Sequence, residues 1–394
     1  MQYTCFPYRA RRSVSALYPN SLWKKSTVMK KTLIALTALG ACGLAAAQSS
    51  VTVYGTADAG IGRVISPVLD PNNPFALGQA TNANGCLQWD DAIRFIGGNS
   101  MMNNGPSILG LKGVEDVGGG NNIGFQFETG LSLEDGSAYE GDEYGLGGFW
   151  GRHANVYMAG DWGTVKLGRQ PTVTHLTESV YDLTNLANYS VVRNTFRASG
   201  FPSRANSAIA YISPSMGGLT AAVAFASRNN DPYANNVWDL GVMYAGGPLA
   251  IGASVNNGLD NGKKNYHIGA KYSFGNNFAL AASYHSGSTD GLRRVDRPWP
   301  VAPDLIRRGY SLGAQARFGA FTVTLDVTRD TRNEWWSDRV WSDAGTGGWD
   351  WKRKKYTNAV LEGKYSLSKR SFLYGAALRL DGYTHWGLGI NHSF

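Results

Sequence analysis

Six histidines are the first residues to test for chemistry: His153, His175, His267, His285, His385 and His392. A general base needs a nucleophile within reach and a third group to orient it. None of the six lies in a recognisable nucleophile motif, and four fall on alternating segments spaced apart in the chain. Asp135, Glu140, Asp142 and Glu143 offer clustered oxygen ligands but lack the spacing of a calcium loop. The triple glycine at Gly118–Gly120 is not followed by Gly-Lys-Thr or Gly-Lys-Ser, so it reads as a tight turn. No catalytic centre, metal or cofactor is expected. The chemistry left to explain is electrostatic.

The charges sit unevenly. The formal net charge is +8, yet residues 1–47 hold seven Lys or Arg and no Asp or Glu, which leaves the remainder near +1. The overall basicity is therefore no argument for nucleic-acid binding. Lys30 and Lys31 precede an apolar run from Leu33 to Leu44, which ends in Ala45-Ala46-Ala47 before Gln48. This is the anatomy of a secretory signal peptide cut after Ala47, and Met29 stands where it would begin. The expected organisation is an upstream extension over 1–28, a signal peptide over 29–47 and one domain over 48–394. Two alternatives stay open: one unusually long leader, or lipidation at Cys42 within Leu39-Gly40-Ala41-Cys42. After Gln48 only Cys86 remains, so no intramolecular disulfide can form.

The elements that must position the charges are strands. Tyr266, Ile268, Ala270, Tyr272 and Phe274 alternate with His267, Gly269, Lys271 and Ser273. The same period of two runs through 278–285, 310–318 and 321–328. Tight turns at 118–120, 161–163, 214–218, 246–248, 275–277, 319–320 and 368–370 alternate with longer polar stretches. Those stretches lie near 65–105, 134–150, 170–205, 228–236, 257–263, 287–308, 330–354 and 381–383. Short turns on one side and long loops on the other predict an all-β, transmembrane antiparallel barrel of about sixteen strands, with periplasmic turns and extracellular loops. The last strand alternates Trp386, Leu388, Ile390, His392 and Phe394 with small or polar residues, and it should close against the first, Val51–Val64.

Several stretches then resemble the general porins of Gram-negative bacteria, in the β-proteobacterial form. They include SSVTVYGTADAG at 49–60, LGLKGVEDVGGG at 109–120, FQFETGLSLEDG at 125–136 and GRHANVYMAGDWGTVKLGRQ at 151–170. Others are NSAIAYISPSMGGLT at 206–220, YSLSKRSFLYG at 365–375 and the closing GLGINHSF. The resemblance implies a sixteen-stranded outer-membrane barrel, a homotrimer, passing small hydrophilic solutes and ions by diffusion. It also implies a third loop folded into the lumen, and Phe394 as the signal read by outer-membrane assembly machinery. An enzymatic barrel and a substrate-specific channel are the competing classes.

Alternation turns Lys112, Lys166, Lys271, Arg317, Lys364 and Arg379 inward, together with Glu128, Asp239, Asp326 and Glu362. A Lys or Arg facing lipid near the midplane would cost roughly 2–4 kcal/mol. The third loop, 170–205, contributes Glu178 and Asp182, with Arg193, Arg197 and Arg204 toward its end. Arg152 and Arg169 match positions where the family carries arginine, although strict alternation leaves both on the lipid side unless a bulge or rim location intervenes. The family's basic residues are missing at Ile108 and Ala210, so the expectation is a weakly selective pore with a slight anion bias. Trp335, Trp336, Trp341, Trp349 and Trp351, followed by Lys352–Lys355, read either as a self-packed loop or as a sugar platform. Arg293, Arg294, Arg297, Arg307 and Arg308 read as a solvated loop or as a site for lipopolysaccharide phosphates and outer-membrane lipid.

Overall fold

The computed structural model describes residues 50–67, 89–90, 92–139, 148–196, 203–227, 236–257, 264–289, 305–333 and 355–394. The leader, Cys86, Glu140, Asp142, Glu143, Arg197, Arg293, Arg294, Arg297 and the five tryptophans of 335–351 lie outside these residues. Gln48–Phe394 forms one compact unit.

Sixteen strands make its wall, each a run of alternating residues ended by glycine, proline or polar turns. They are β1 (Ser50–Arg63), β2 (Ser107–Gly118), β3 (Asn121–Leu131), β4 (His153–Gly160) and β5 (Gly163–Pro171). Then come β6 (Arg204–Ile212), β7 (Leu219–Ala226), β8 (Val237–Gly246), β9 (Leu249–Asn256), β10 (Asn265–Phe274) and β11 (Phe278–Thr289). The last five are β12 (Leu305–Phe318), β13 (Phe321–Asn333), β14 (Thr357–Ser366), β15 (Ser371–Leu380) and β16 (Tyr383–Ser393). Each pairs antiparallel with the next, and β16 returns to β1 with Thr56 opposite Ser393 and Arg63 opposite Trp386. Closure leaves no open edge. The terminal residue takes part: Phe394 N–H donates to Gly55 O at 3.0 Å, and Gly55 N–H donates back to Phe394 O at 3.2 Å. A short strand, Ile93–Ile96, adds to the far end of β1, and Ala138–Tyr139 extends β3.

The tight turns fall where the sequence places them. Gly118, Gly119 and Gly120 all have positive φ, a run that only glycines take up without strain. The outward face settles the environment. Val51 is 68% exposed, Leu312 64% and Leu361 53%, and Ile209, Ile268 and Leu388 are equally bare. An apolar belt of this extent would be a liability in water and is what a lipid-facing wall requires.

Candidate functional site

The loop between β5 and β6 turns into the barrel. It carries two short helices, α1 (Val173–Ser179) and α2 (Val191–Phe196), and Thr172 caps the first by accepting from His175 N–H at 3.1 Å. The wall beneath is shaped to receive it. Inward positions that would ordinarily carry a side chain are Gly241, Gly252, Gly269 and Gly313. A methyl group on Gly241 would stand 2.6 Å from Val173, one on Gly269 would strike the Tyr181 ring, and one on Gly313 would meet Leu183. On Gly252 it would overlap the Thr177 carbonyl. A lane of glycines thus lets the loop backbone lie flat on the sheet.

Polar side chains of the wall tie the loop along its length. Thr174 donates to Asp239 from its backbone N–H at 2.8 Å and its hydroxyl at 2.9 Å. The His267 ring sits between Thr177 Oγ1 at 2.9 Å and Tyr181 Oη at 2.7 Å. Gln315 donates to Leu183 O at 2.8 Å, Tyr189 donates to Glu362 at 2.7 Å, and Thr195 meets Thr328 at 2.7 Å. Burial pushes the Tyr181 and Tyr189 hydroxyls well above the usual tyrosine range, with the Glu362 carboxylate adding to it at Tyr189, so both stay protonated. His175, desolvated beside Arg193 and Arg204, is held well below the ordinary histidine value and stays neutral.

Behind the loop lies an apolar core inside the lumen. Tyr189, Val191, Val192 and Phe196 pack with Val360, Tyr374, Ala376 and Leu378 of the wall, and with Ile96 and Met102. Each large side chain removed from water this way contributes roughly 1.5–3 kcal/mol. Ile96 and Met102 belong to the end of the first loop, which also folds inward. Buried Asp58 holds that segment, accepting from Asn103 Nδ2 at 2.8 Å, Tyr374 Oη at 2.6 Å, Asn391 Nδ2 at 2.8 Å and Gly105 N–H at 3.3 Å. Its two ends meet the third loop through Asn104 Nδ2 on Tyr189 Oη at 3.0 Å and Asn188 Nδ2 on Asn99 at 3.0 Å. Neither this inward turn nor the glycine lane is foreseen from the sequence, where glycine on a strand looks only like a weak position.

The opposite wall, β1 to β5, is bare of the loop. Its inward side carries Tyr54, Lys112, Gln126, Glu128, Tyr157 and Lys166. Glu128 is committed: Arg152 Nε donates to it at 2.6 Å and Tyr54 Oη at 2.8 Å. Gln126 in turn donates to Tyr54 Oη at 2.7 Å. Lys112 is exposed and Lys166 half-buried, and among the described residues neither has an acidic partner. One group could in principle hold a metal, Glu178 with His267 and His285, whose ligand atoms lie within 4.8 Å of one another. Both nitrogens of His267 are already hydrogen-bonded, and the two rings stack 11° from parallel, so their lone pairs run side by side rather than converging.

The remaining expected positions divide. Lys271 and Arg317 point inward on β10 and β12, Arg317 near the periplasmic turn. Lys364 also points inward but is paired with Glu362 at 3.0 Å. Glu178 ends α1 with its carboxylate 4.0 Å from His285 Nδ1, and Arg193 lies half-buried on α2. Asp239 and Asp326 are inward but covered by the loop, at 1% and 2% exposure. Arg152 sits just before β4 and reaches inward to Glu128. Arg169 is buried at the rim, bonded to Gly151 O and Asn206, where Gly168 has φ +113° and the β5–β6 register shifts between Ala205 and Ala208.

Two expectations are corrected. Arg379 faces outward, not into the lumen: its partner is Ala359, in a row that runs on through Val327 to Leu312 on the lipid side. The inward positions of β15 are Tyr374, Ala376 and Leu378, which are apolar because the loop core covers them, so the alternation reads in reverse. Asp182 does not line the opening either. It is buried within the loop and accepts from Thr184 Oγ1 at 2.7 Å, Leu186 N–H at 2.6 Å and Ser190 Oγ at 3.0 Å. Ala210, one of the two missing basic positions, is packed under Val173, so a long cation there would collide with α1.

A closed sixteen-stranded barrel with a lipid-facing belt and an inward-folded loop points to an outer-membrane diffusion channel. The family model described as Gram-negative porin matches residues 32–384, and the chain belongs to that family. It is 31% identical over 309 residues to outer membrane porin protein 32 of Delftia acidovorans, covering 74% of this chain and 77% of the relative. With an outer membrane porin protein of Bordetella pertussis it shares 27% identity, over 93% of this chain and the full length of the relative. Among solved structures, an anion-selective porin from Comamonas acidovorans superposes with a TM-score of 0.62 at 23% identity, covering 88% of this chain and 100% of that one. The chain is an outer-membrane porin, forming a water-filled channel for small hydrophilic solutes and ions.

Proposed function

We propose that the channel is weakly selective with a slight anion bias, and that its narrowest part lies between the third loop and the bare wall of β1–β5. The observation that carries this is a mismatch of charge on that wall. Lys112 and Lys166 stand unneutralised, while Glu128 is engaged by Arg152 and Tyr54. Of the acids on the other side, Asp182, Asp239 and Asp326 are buried behind or within the loop, Glu362 is paired with Lys364, and Glu178 is half-buried at the end of α1. The bias stays slight because Ile108 and Ala210 replace two basic residues. The pore works as a homotrimer, an assembly supported by a solved trimeric porin of the same fold from Vibrio cholerae. Signal-peptide removal after Ala47 would precede assembly, with Phe394 as the assembly signal and lipopolysaccharide at the outer surface. Reversal potential in a salt gradient tests the reading: a small anion-leaning value is expected, and strong selectivity of either sign contradicts it.

A further inference from the structure

Two side-chain groups on the bare wall share one construction. Tyr54 on β1 faces Gly110 on β2, and a methyl group on Gly110 would strike the Tyr54 ring. Tyr157 on β4 faces Gly124 on β3, and a methyl group on Gly124 would strike the Tyr157 ring. Each ring therefore lies against a glycine of the neighbouring strand. Over each ring lies an ammonium: Lys112 Nζ is 5.3 Å from the Tyr54 centroid, and Lys166 Nζ is 5.7 Å from the Tyr157 centroid. Both distances are within cation–π range.

The way a lysine is held decides whether its charge reaches the water. Lys364, on the loop-covered wall, is 3.0 Å from Glu362, which cancels its field. A tyrosine ring has a quadrupole but no net charge, so it fixes an ammonium in place and leaves its field intact. A lysine with neither partner would sweep its four-carbon stem through the passage and spread its charge.

The geometry points to Tyr54 and Tyr157 as positioning residues for ion preference. Each holds one unneutralised lysine against the wall, and together the two pairs form a path for small anions, inorganic or carboxylate. This deepens the anion-bias reading above and rests on it. In register the pairs are staggered: Lys112 shares a row with Gln126 and Asn155, and Lys166 lies two residues nearer the periplasmic turn than the β5 member of that row, Gly168.

The test uses the full barrel in planar bilayers, with reversal potential in a potassium chloride gradient. Tyr157→Leu should lower the anion-to-cation permeability ratio by a factor on the order of two, the scale of an exposed cation–π contact. Tyr157→Phe, which keeps the ring, should hold the wild-type value, and Lys166→Met should lower the ratio at least as far as Tyr157→Leu. If Tyr157→Leu does not assemble, Gly124→Ala lifts the same ring and should give the same shift. The proposal is overturned if removing or lifting the ring leaves the potential unmoved, or if Phe behaves as Leu does. A wild-type pore with no anion lean would instead defeat the reading on which it rests, a separate result in the same recording.

Discussion

The two halves of the barrel's inner wall are built to opposite purposes. From β6 to β15 the wall receives the third loop, and beneath the loop it is lined mainly with glycines, small residues and hydrogen-bonded polar groups, with Lys271 and Arg317 facing inward toward the periplasmic turns. Its acids, Asp239, Asp326 and Glu362, are buried at 1%, 2% and 1% exposure, and Asp239 and Glu362 serve as anchors for the loop. From β1 to β5 the wall is free of the third loop, the first loop covers it at Asp58, and its tyrosines and lysines face the lumen. An inward-facing charge is therefore not by itself a selectivity charge. Only a charge that is neither covered nor cancelled can act on passing ions.

The strongest perturbation of this division is to force the loop off its wall. In Gly252→Val the new side chain overlaps the Thr177 carbonyl, and overpacking of this kind costs typically 1–3 kcal/mol. The loop should yield before the sheet does. Single-channel conductance should then fall by a factor on the order of two, since side chains moved into a narrow lumen set its size. Unchanged conductance would show that the loop does not bound the passage.

A smaller effect should come from Asp58→Ala, which strips the first loop's inward turn of its acceptor. Each buried donor left unsatisfied costs about 1–3 kcal/mol. The temperature at which the barrel loses its compact form on detergent gels should drop clearly, and protease should gain access to residues 97–106. Smaller again, Asp239→Asn should loosen α1, seen as faster proteolysis within 172–196, while the reversal potential stays where it was. A shift in that potential would mean the covered acid does reach the lumen. Arg379→Gln should alter neither conductance nor selectivity, because the side chain faces outward near the extracellular edge; a changed reversal potential would restore it to the lumen.

The wall itself is legible in the sequence because most strands repeat one rule, apolar out and small or polar in, with turns where glycine or proline interrupts it. Closure at Phe394 is legible for the same reason. The interior is not. The covered strands are apolar on both faces, as at Val360–Leu361 and Leu373–Tyr374, so the period of two no longer says which face is which, and Arg379 reads as inward when it is not. Asp182 looks like a solvated loop acid because nothing local reveals that Thr184 and Ser190 fold back around it. The tyrosine–lysine pairs are hidden in the sequence, since Tyr54 and Tyr157 are ordinary strand residues until the glycine opposite each one is known.

Ion preference, on this account, is set by the bare wall and not by the covered one. Reversal potentials of two double variants, measured beside the wild-type pore, decide between the walls. Lys112→Met with Lys166→Met should remove the anion lean, and Asp239→Asn with Asp326→Asn should leave it unchanged. The opposite pattern, a shift from the buried acids and none from the two lysines, would refute it.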